Sequence, residues 1–162
     1  MGCPLRAGLL ATLVAAAGCA HAPASDTAPT TAQLVGTWHG NAVMLGDPQL
    51  RGDDLQVTNA DGSFVAYFRL CRNGTLREVV VESGRWEYAD GVVKTTTQTV
   101  NGRSVPPDDY FIERYRASTS GSGRLRLVSL KTHDVFDKRR VDTPGFTLPT
   151  DPCTMAVQKP GI

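Results

Sequence analysis

Short runs of alternating apolar and polar residues fill the middle of the chain. In residues 64–71 every second side chain, beginning with Phe64, is apolar, and residues 92–100 are dense in β-branched side chains. A period of two is typical of a strand with one buried face, and β-branched residues fit a pleated surface. Apart from one turn at residues 31–35, no window has the 3.6-residue apolar period of a helix. The pattern therefore predicts an all-β domain.

Four tight-turn dipeptides divide these runs: Asp61-Gly62, Asn73-Gly74, Asp90-Gly91 and Asn101-Gly102. Such pairs are the strongest short-range hairpin signal, because both turn residues need a positive φ. They predict eight or nine antiparallel strands, depending on whether the fourth and fifth are one strand bulged at Ser83-Gly84. The predicted strands are 36–45, 54–60, 63–72, 75–83, 84–89, 92–100, 110–118, 124–131 and 135–141.

A sheet of eight or nine strands can be open, divided into two layers or closed into a barrel. An open sheet of eight strands leaves two unpaired edges, and closing the sheet into a barrel removes them. An eight-stranded barrel has room for packed side chains or for one small ligand. A two-sheet sandwich would also fit the strand count, but the consecutive tight hairpins favour a meander that closes into a barrel.

Length and charge exclude several classes of protein. The chain has 162 residues, which suits one domain better than two. It carries 17 Lys and Arg against 16 Asp and Glu, so it lacks the basic excess of a nucleic-acid-binding protein. No apolar run reaches the roughly 18 residues of a membrane-spanning helix.

The N-terminus has the features of an export signal. Arg6 precedes a short apolar stretch at residues 9–15, and Ala16-Ala17-Gly18-Cys19 follows. This segment resembles the lipobox of bacterial lipoproteins. The resemblance implies cleavage after Gly18, acylation of Cys19 with fatty acids such as palmitate, and a lipid anchor. Because residue 20 is Ala and not Asp, it also implies the outer membrane, facing the periplasm.

An ordinary signal peptide cut after Ala22-Pro23-Ala24 remains an alternative, and it would leave a soluble periplasmic or secreted protein. In the preferred division, residues 1–18 are the signal peptide, and residues 19–33 are the lipidated Cys and a flexible tether rich in Ala, Pro, Thr and Ser. Residues 34–162 are the barrel domain, with a proline-rich tail at 142–162.

The four cysteines are expected to have three fates. Cys3 leaves with the signal and Cys19 takes lipid, which leaves Cys71 and Cys153. An exported compartment oxidises such a pair, so we predict a disulfide that holds the tail against the sheet. Two isolated thiols are the alternative. Their wide separation argues against a redox C-x-x-C motif or a zinc knuckle.

Three motifs resemble those of lipocalins and the wider calycin group. Gly36-Thr37-Trp38 opens the first strand, Asp109-Tyr110 with Tyr115 precedes a late strand, and Arg139-Arg140 lies on the last strand. The resemblance implies a barrel whose base is closed by an arginine packed on Trp38, a contact worth about 0.5 to 2 kcal/mol. The other interpretation is that Trp38 and Trp86 simply fill the core.

The lipocalin resemblance also implies an interior ligand that is small and apolar or amphipathic. Besides Trp38, the side chains predicted to line its site are Phe64, Phe68, Leu70, Phe111 and Tyr115. A filled barrel would instead suit a module that binds or inhibits another protein of the envelope, with an exposed patch as its contact surface.

The sequence contains little that points to catalysis. Phosphate-binding loops, nucleophile elbows and His-Glu-x-x-His are absent, so no enzyme, cofactor or metal is expected. Ser129, His133 and Asp134 are too close in sequence for a triad. The pairs Asp53-Asp54 and Asp108-Asp109 flank predicted turns and are expected to be solvated. Four arginines on neighbouring strands would either favour an anionic head group or form an ordinary solvated face: Arg69, Arg72, Arg77 and Arg85.

Overall fold

The computed structural model describes residues 26–43, 47, 49–120, 123–141, 146 and 148–153. They form nine strands, one short helix and one 3₁₀ turn. The strands are β1 (Gly36–Val43), β2 (Leu50–Thr58), β3 (Ser63–Arg72), β4 (Thr75–Ala89), β5 (Val92–Val100), β6 (Arg103–Ser104), β7 (Ile112–Thr119), β8 (Arg124–Ser129) and β9 (Val135–Arg140). Helix α1 is Thr31–Leu34, and the 3₁₀ turn is Asp109–Phe111.

Eight of the strands close into an antiparallel barrel. Their order is β4-β3-β2-β1-β9-β8-β7-β5, and β5 pairs back with β4. The two-residue β6 pairs antiparallel with the end of β5. The predicted all-β barrel is thus confirmed, and the sandwich is excluded. The described residues contain no helix that is long and apolar enough to cross a membrane.

Three of the four predicted tight turns have the backbone conformation that the sequence predicts. Both residues have a positive φ at Asn73-Gly74, Asp90-Gly91 and Asn101-Gly102. At Asp61-Gly62 only the glycine does, because a four-residue loop joins β2 to β3 there. The fourth and fifth predicted strands are one strand, and its register with β5 shifts at Ser83-Gly84, where a bulge is predicted.

Two strand predictions need correction. The second strand begins at Leu50 and not at residue 54, so Asp53 and Asp54 lie inside the sheet. They are 2% and 0% exposed, and the expectation that they are solvated is wrong. Asp108 and Asp109 are exposed, as expected, and flank the start of the 3₁₀ turn, which replaces the first residues of the predicted seventh strand.

One end of the barrel is closed by α1, and we call it the plugged end. A capping box at Thr30 and Gln33 starts the helix, since the side chain of each bonds the backbone N–H of the other. Leu34 then enters the core beside Trp38, whose indole N–H donates to the Leu34 carbonyl at 2.9 Å. The opposite end, which carries the Asn73-Gly74 turn and residues 130–134, is called the distal end.

The core at the plugged end is tightly filled. Leu34, Trp38 and Trp86 are almost fully buried, and the gap left among the side chains there has a volume of about 10 Å³. That is at most the room for one water molecule. This half of the barrel is therefore a packed core and has no room for a ligand.

Candidate functional site

The interior of the distal half is polar. Asp54 and Gln56 on β2 point inward, and so does Lys138 on β9, which faces them across β1. The Lys138 ammonium bonds the Asp54 carboxylate and donates to Gln56 Oε1 at 2.6 Å. All three side chains are at most 8% exposed. Charged groups this far from water destabilise the fold unless they are paired and hydrogen-bonded. The bonds among these three residues therefore hold each side chain in a defined position.

Glycine at position 40 makes this arrangement possible. Gly40 of β1 pairs with Asp54 on one side and with Lys138 on the other. A Cβ at this position would lie 2.1 Å from the carbonyl oxygen of Asp137, closer than any real contact. Only glycine lets β1 and β9 approach this closely.

One oxygen of the buried carboxylate has no partner. Oδ2 of Asp54 is bonded to Lys138, whereas Oδ1 is buried without a hydrogen bond. Protein interiors satisfy the great majority of such atoms, and an unmet acceptor on a charged group costs more than a neutral one. This oxygen marks a place where a donor from a bound molecule or water would be stabilised.

Two further carboxylates face the same interior. Glu82 on β4 lies opposite Ala66, and its Oε2 accepts from the Thr97 hydroxyl at 3.0 Å. Burial raises the pKa of Glu82, and the charge of Glu113 adds to the rise. Burial also raises the pKa of Glu113, which lies 3.8 Å from Lys131. The raised pKa values reflect the poor solvation of both carboxylates in their charged form.

Tyr115 shares this interior with the acidic groups. It projects inward from β7, and its ring packs edge-on against Phe136 with centroids 5.7 Å apart. Burial raises the pKa of its hydroxyl, and the charges of Glu113, Glu82 and Asp54 raise it further. All three carboxylates therefore act on one point of the interior.

The rim of the distal end carries a depression of about 680 Å³. Its floor and walls combine apolar and charged side chains: Asp109, Tyr110, Ile112, Glu113, Arg114, Leu130 and Lys131. Tyr110 is 73% exposed, and the Lys131 ammonium lies 5.6 Å from its ring centre. Glu113 faces inward near the start of β7, where it pairs with Thr95, and it also lines this depression, so the depression adjoins the distal interior.

A second polar cluster lies on the outer face of the barrel. His39 follows Trp38 and faces away from it, as expected, and its Nε2 lies 2.6 Å from Asp53 Oδ1. The Arg69 guanidinium bonds the other oxygen of Asp53. Although burial disfavours the charged form, the hydrogen bonds from His39 and Arg69 outweigh it and hold the pKa of Asp53 below its usual range.

The C-terminal strap, residues 146 and 148–153, covers this outer cluster. The Phe146 ring lies 5.1 Å from the His39 ring, and Arg69 donates to the Pro149 carbonyl at 2.6 Å. The predicted disulfide is confirmed, since Cys71 and Cys153 are bonded with their Cα atoms 5.6 Å apart. The strap explains why the side chains of His39 and Asp53 are buried although they lie on the outer face of the barrel.

The other predicted site residues are distributed as follows. Arg140, not the exposed Arg139, lies over Trp38 at 4.5 Å. Phe64 is part of the packed core, Phe68 and Leu70 are half-buried on the inward face of β3, and Phe111 packs edge-on against Tyr110 in the 3₁₀ turn. Cys19 lies outside the described residues.

The remaining sequence candidates have structural roles or separate partners. Ser129 is buried and its hydroxyl accepts from the backbone N–H groups of Lys131 and Thr132, so it stabilises a turn. Arg69, Arg72 and Arg85 bond Asp53, Asp47 and the Asp61 carbonyl respectively, and Arg77 is exposed near the β3–β4 turn. Within the described part of the chain, no three His, Cys, Asp or Glu side chains converge as a metal site would require.

The sequence interpretation missed the charged groups that face the interior. Asp54, Glu82, Glu113 and Lys138 were not singled out as interior residues, because each is polar and its partners are distant in sequence. One signal was available. Asp54, Gln56 and Thr58 are at alternate positions, which predicts that their polar side chains share one face if the segment is a strand.

Comparison of the chain with protein-family models finds no match. A comparison with curated proteins finds none either.

Proposed function

We propose that this protein is a lipid-anchored, non-enzymatic binding protein of the bacterial cell envelope, and that its barrel takes an amphipathic small molecule at the distal end. The observation that carries the proposal is the Asp54 carboxylate, which is completely buried inside the barrel with one oxygen unpartnered. A polar group of a ligand would satisfy that oxygen.

The division of the interior supports an amphipathic ligand over a purely apolar one. The plugged half leaves a gap of only about 10 Å³, so a ligand belongs in the distal half. There the half-buried Phe68 and Leu70 lie beside charged groups. Binding sites of this kind combine an apolar lining with a few polar groups that fix orientation.

The envelope location rests on the N-terminal sequence and is supported by the disulfide. The lipobox-like segment at residues 16–19 implies an anchor on Cys19, and the Cys71–Cys153 bond is of the kind that persists in exported proteins. A soluble periplasmic or secreted form is the alternative. Growth with a labelled palmitate analogue tests the anchor: the wild type is expected to incorporate label, and Cys19→Ala is expected to lose it.

A second function has one observation in its favour. The plugged half is filled, and Tyr110 and Leu130 expose apolar surface at the rim, 73% and 41% of their areas. A filled barrel with an exposed rim suits a module that binds or inhibits another envelope protein.

Native mass spectrometry of the protein purified from envelopes under mild conditions separates the two functions. A mass excess of a few hundred daltons that vanishes on denaturation supports the binding barrel. A bare mass that stays unchanged after incubation with envelope lipid extract contradicts it, and a co-purifying protein would then favour the interaction module.

A further inference from the structure

The distal interior carries more negative than positive charge. The inward carboxylates Asp54, Glu82 and Glu113 come from three different strands. Lys138 is the cation bonded among them, and it is already engaged by Asp54 and Gln56. Lys131 lies at the rim, 3.8 Å from Glu113, with more than half of its side chain exposed. An opposite charge that entered this interior would meet excess acceptors at low dielectric, where charge pairs are strongest.

The unpartnered oxygen of Asp54 is the point at which a positive charge would be stabilised most directly. Asp54 lies opposite Phe68 in the β2–β3 register and is 0% exposed, and its Oδ1 is buried in the interior without a protein donor. Glu82 lies on β4, the strand beyond β3, and Tyr115 feels the charge of both acids. Acceptors on separate strands suit a small group with several donors pointing in different directions.

We propose that the distal interior binds the protonated amine of an amphipathic molecule, with the ammonium bonded to Asp54 Oδ1 and shared with Glu82. This deepens the binding function proposed above and rests on it. An ammonium group offers three donors, whereas an alcohol offers one and a carboxylate none. The apolar part of the molecule extends toward the distal end, along Leu70 and Val80, which face inward and are half-buried.

A metal ion is a poorer occupant of the same site. Divalent cations need several ligands within about 2.0 to 2.6 Å, and the described His, Cys, Asp and Glu side chains do not converge in that way. Burial raises the pKa of Glu82, whose hydrogen-bond partner is the neutral Thr97 hydroxyl and not a cation.

The test uses three probes of equal chain length: octylamine, octanol and octanoate. Isothermal titration of the intact protein at pH 7 is expected to show that octylamine binds at least tenfold more tightly than either of the others. Glu82→Gln removes one acceptor charge and is expected to weaken octylamine about tenfold. Glu87→Gln is the matched control, because Glu87 lies on the same strand but is exposed and bonded to Lys94; it is expected to leave the affinity unchanged.

The alternatives have distinct outcomes. Equal binding of all three probes would overturn the ammonium site while leaving the binding barrel intact. Preference for octanoate would overturn it in favour of recognition by Lys138 or Lys131. Binding of none of them would count against the binding function itself. Since Asp54→Asn removes the partner of Lys138 and disturbs the fold, Glu82→Gln is the decisive variant.

Discussion

Lys138 and Asp54 are bonded inside the barrel although 84 residues separate them in the chain. Their side chains are 2% and 0% exposed. The pair joins β9 to β2 across β1, the strand between them. Its contribution to stability therefore depends on both partners being present.

Replacing Lys138 by Met is expected to lower the free energy of unfolding by about 3 to 5 kcal/mol, because it leaves a buried carboxylate without a counter-charge. Urea unfolding measures the loss. Adding Asp54→Asn to the Met variant is expected to recover much of it. Lys94→Met, which breaks the exposed pair with Glu87, is the control and is expected to change little. Equal losses for the two lysines would contradict this account.

Replacing Arg140 by Ala is expected to loosen the plugged end. Its guanidinium lies over Trp38 and donates to the carbonyls of Val35 at 2.8 Å and Gln33 at 2.6 Å. Losing the stacking and two charge-assisted bonds is expected to cost about 2 to 4 kcal/mol in urea unfolding. Arg139→Ala removes an exposed neighbour and is expected to have little effect. Tryptophan fluorescence is expected to shift to the red in the Arg140 variant alone.

Reducing the disulfide is expected to release the C-terminal strap. The Cys71–Cys153 bond joins residues separated by 82 positions, so its loss is expected to lower stability by about 4 to 5 kcal/mol in the chain-entropy model. Backbone amide hydrogen exchange is expected to become faster at residues 148–153 and at His39. The double variant with Ser at both cysteines is expected to behave like the reduced protein and to be insensitive to reductant.

Acid is expected to weaken the outer cluster through Asp53. Its pKa is lowered in the folded state, so its stabilising contribution is complete above its unfolded value of 3.8 and is lost as the pH falls through the lower folded value. In urea unfolding, the free energy of unfolding is expected to be higher for the wild type than for Asp53→Asn, and this difference is expected to be largest at pH 5 to 7. The difference is expected to shrink below about pH 4, and a difference that stayed constant with pH would refute this role.

The interior acid Glu82 is expected to respond in the opposite direction. Its pKa is raised in the folded state, so the protonated form stabilises the fold below the unfolded value of 4.5, and this advantage is lost as the pH rises through the folded value. Glu82→Gln keeps a neutral side chain at every pH. Relative to the wild type, this variant is expected to gain stability between pH 4 and pH 7, whereas Glu87→Gln is expected to show no such gain.

The sequence was most informative where local chemistry decides the structure. The Asn73-Gly74 and Asp90-Gly91 turns set the ends of β3 and β5 at the predicted residues, Ser63–Arg72 and Val92–Val100. The first half of β2 was missed because Gly52, Asp53 and Asp54 are typical of a loop. The two aspartates lie in a strand because His39, Arg69 and Lys138 supply their partners from three other strands. Such partners are identifiable only once the strand order is known.

The position of the plugged end has a consequence for the lipid anchor proposed at Cys19. Thr27 bridges Thr119 at the end of β7, so the N-terminal segment meets the barrel beside α1. The eight peptide units from Cys19 to Thr27 span at most about 29 Å when fully extended. A protein anchored at Cys19 would therefore keep its plugged end near the bilayer and turn its distal end toward the aqueous compartment. In that orientation, the proposed ligand would reach the distal end from the aqueous compartment and not directly from the bilayer.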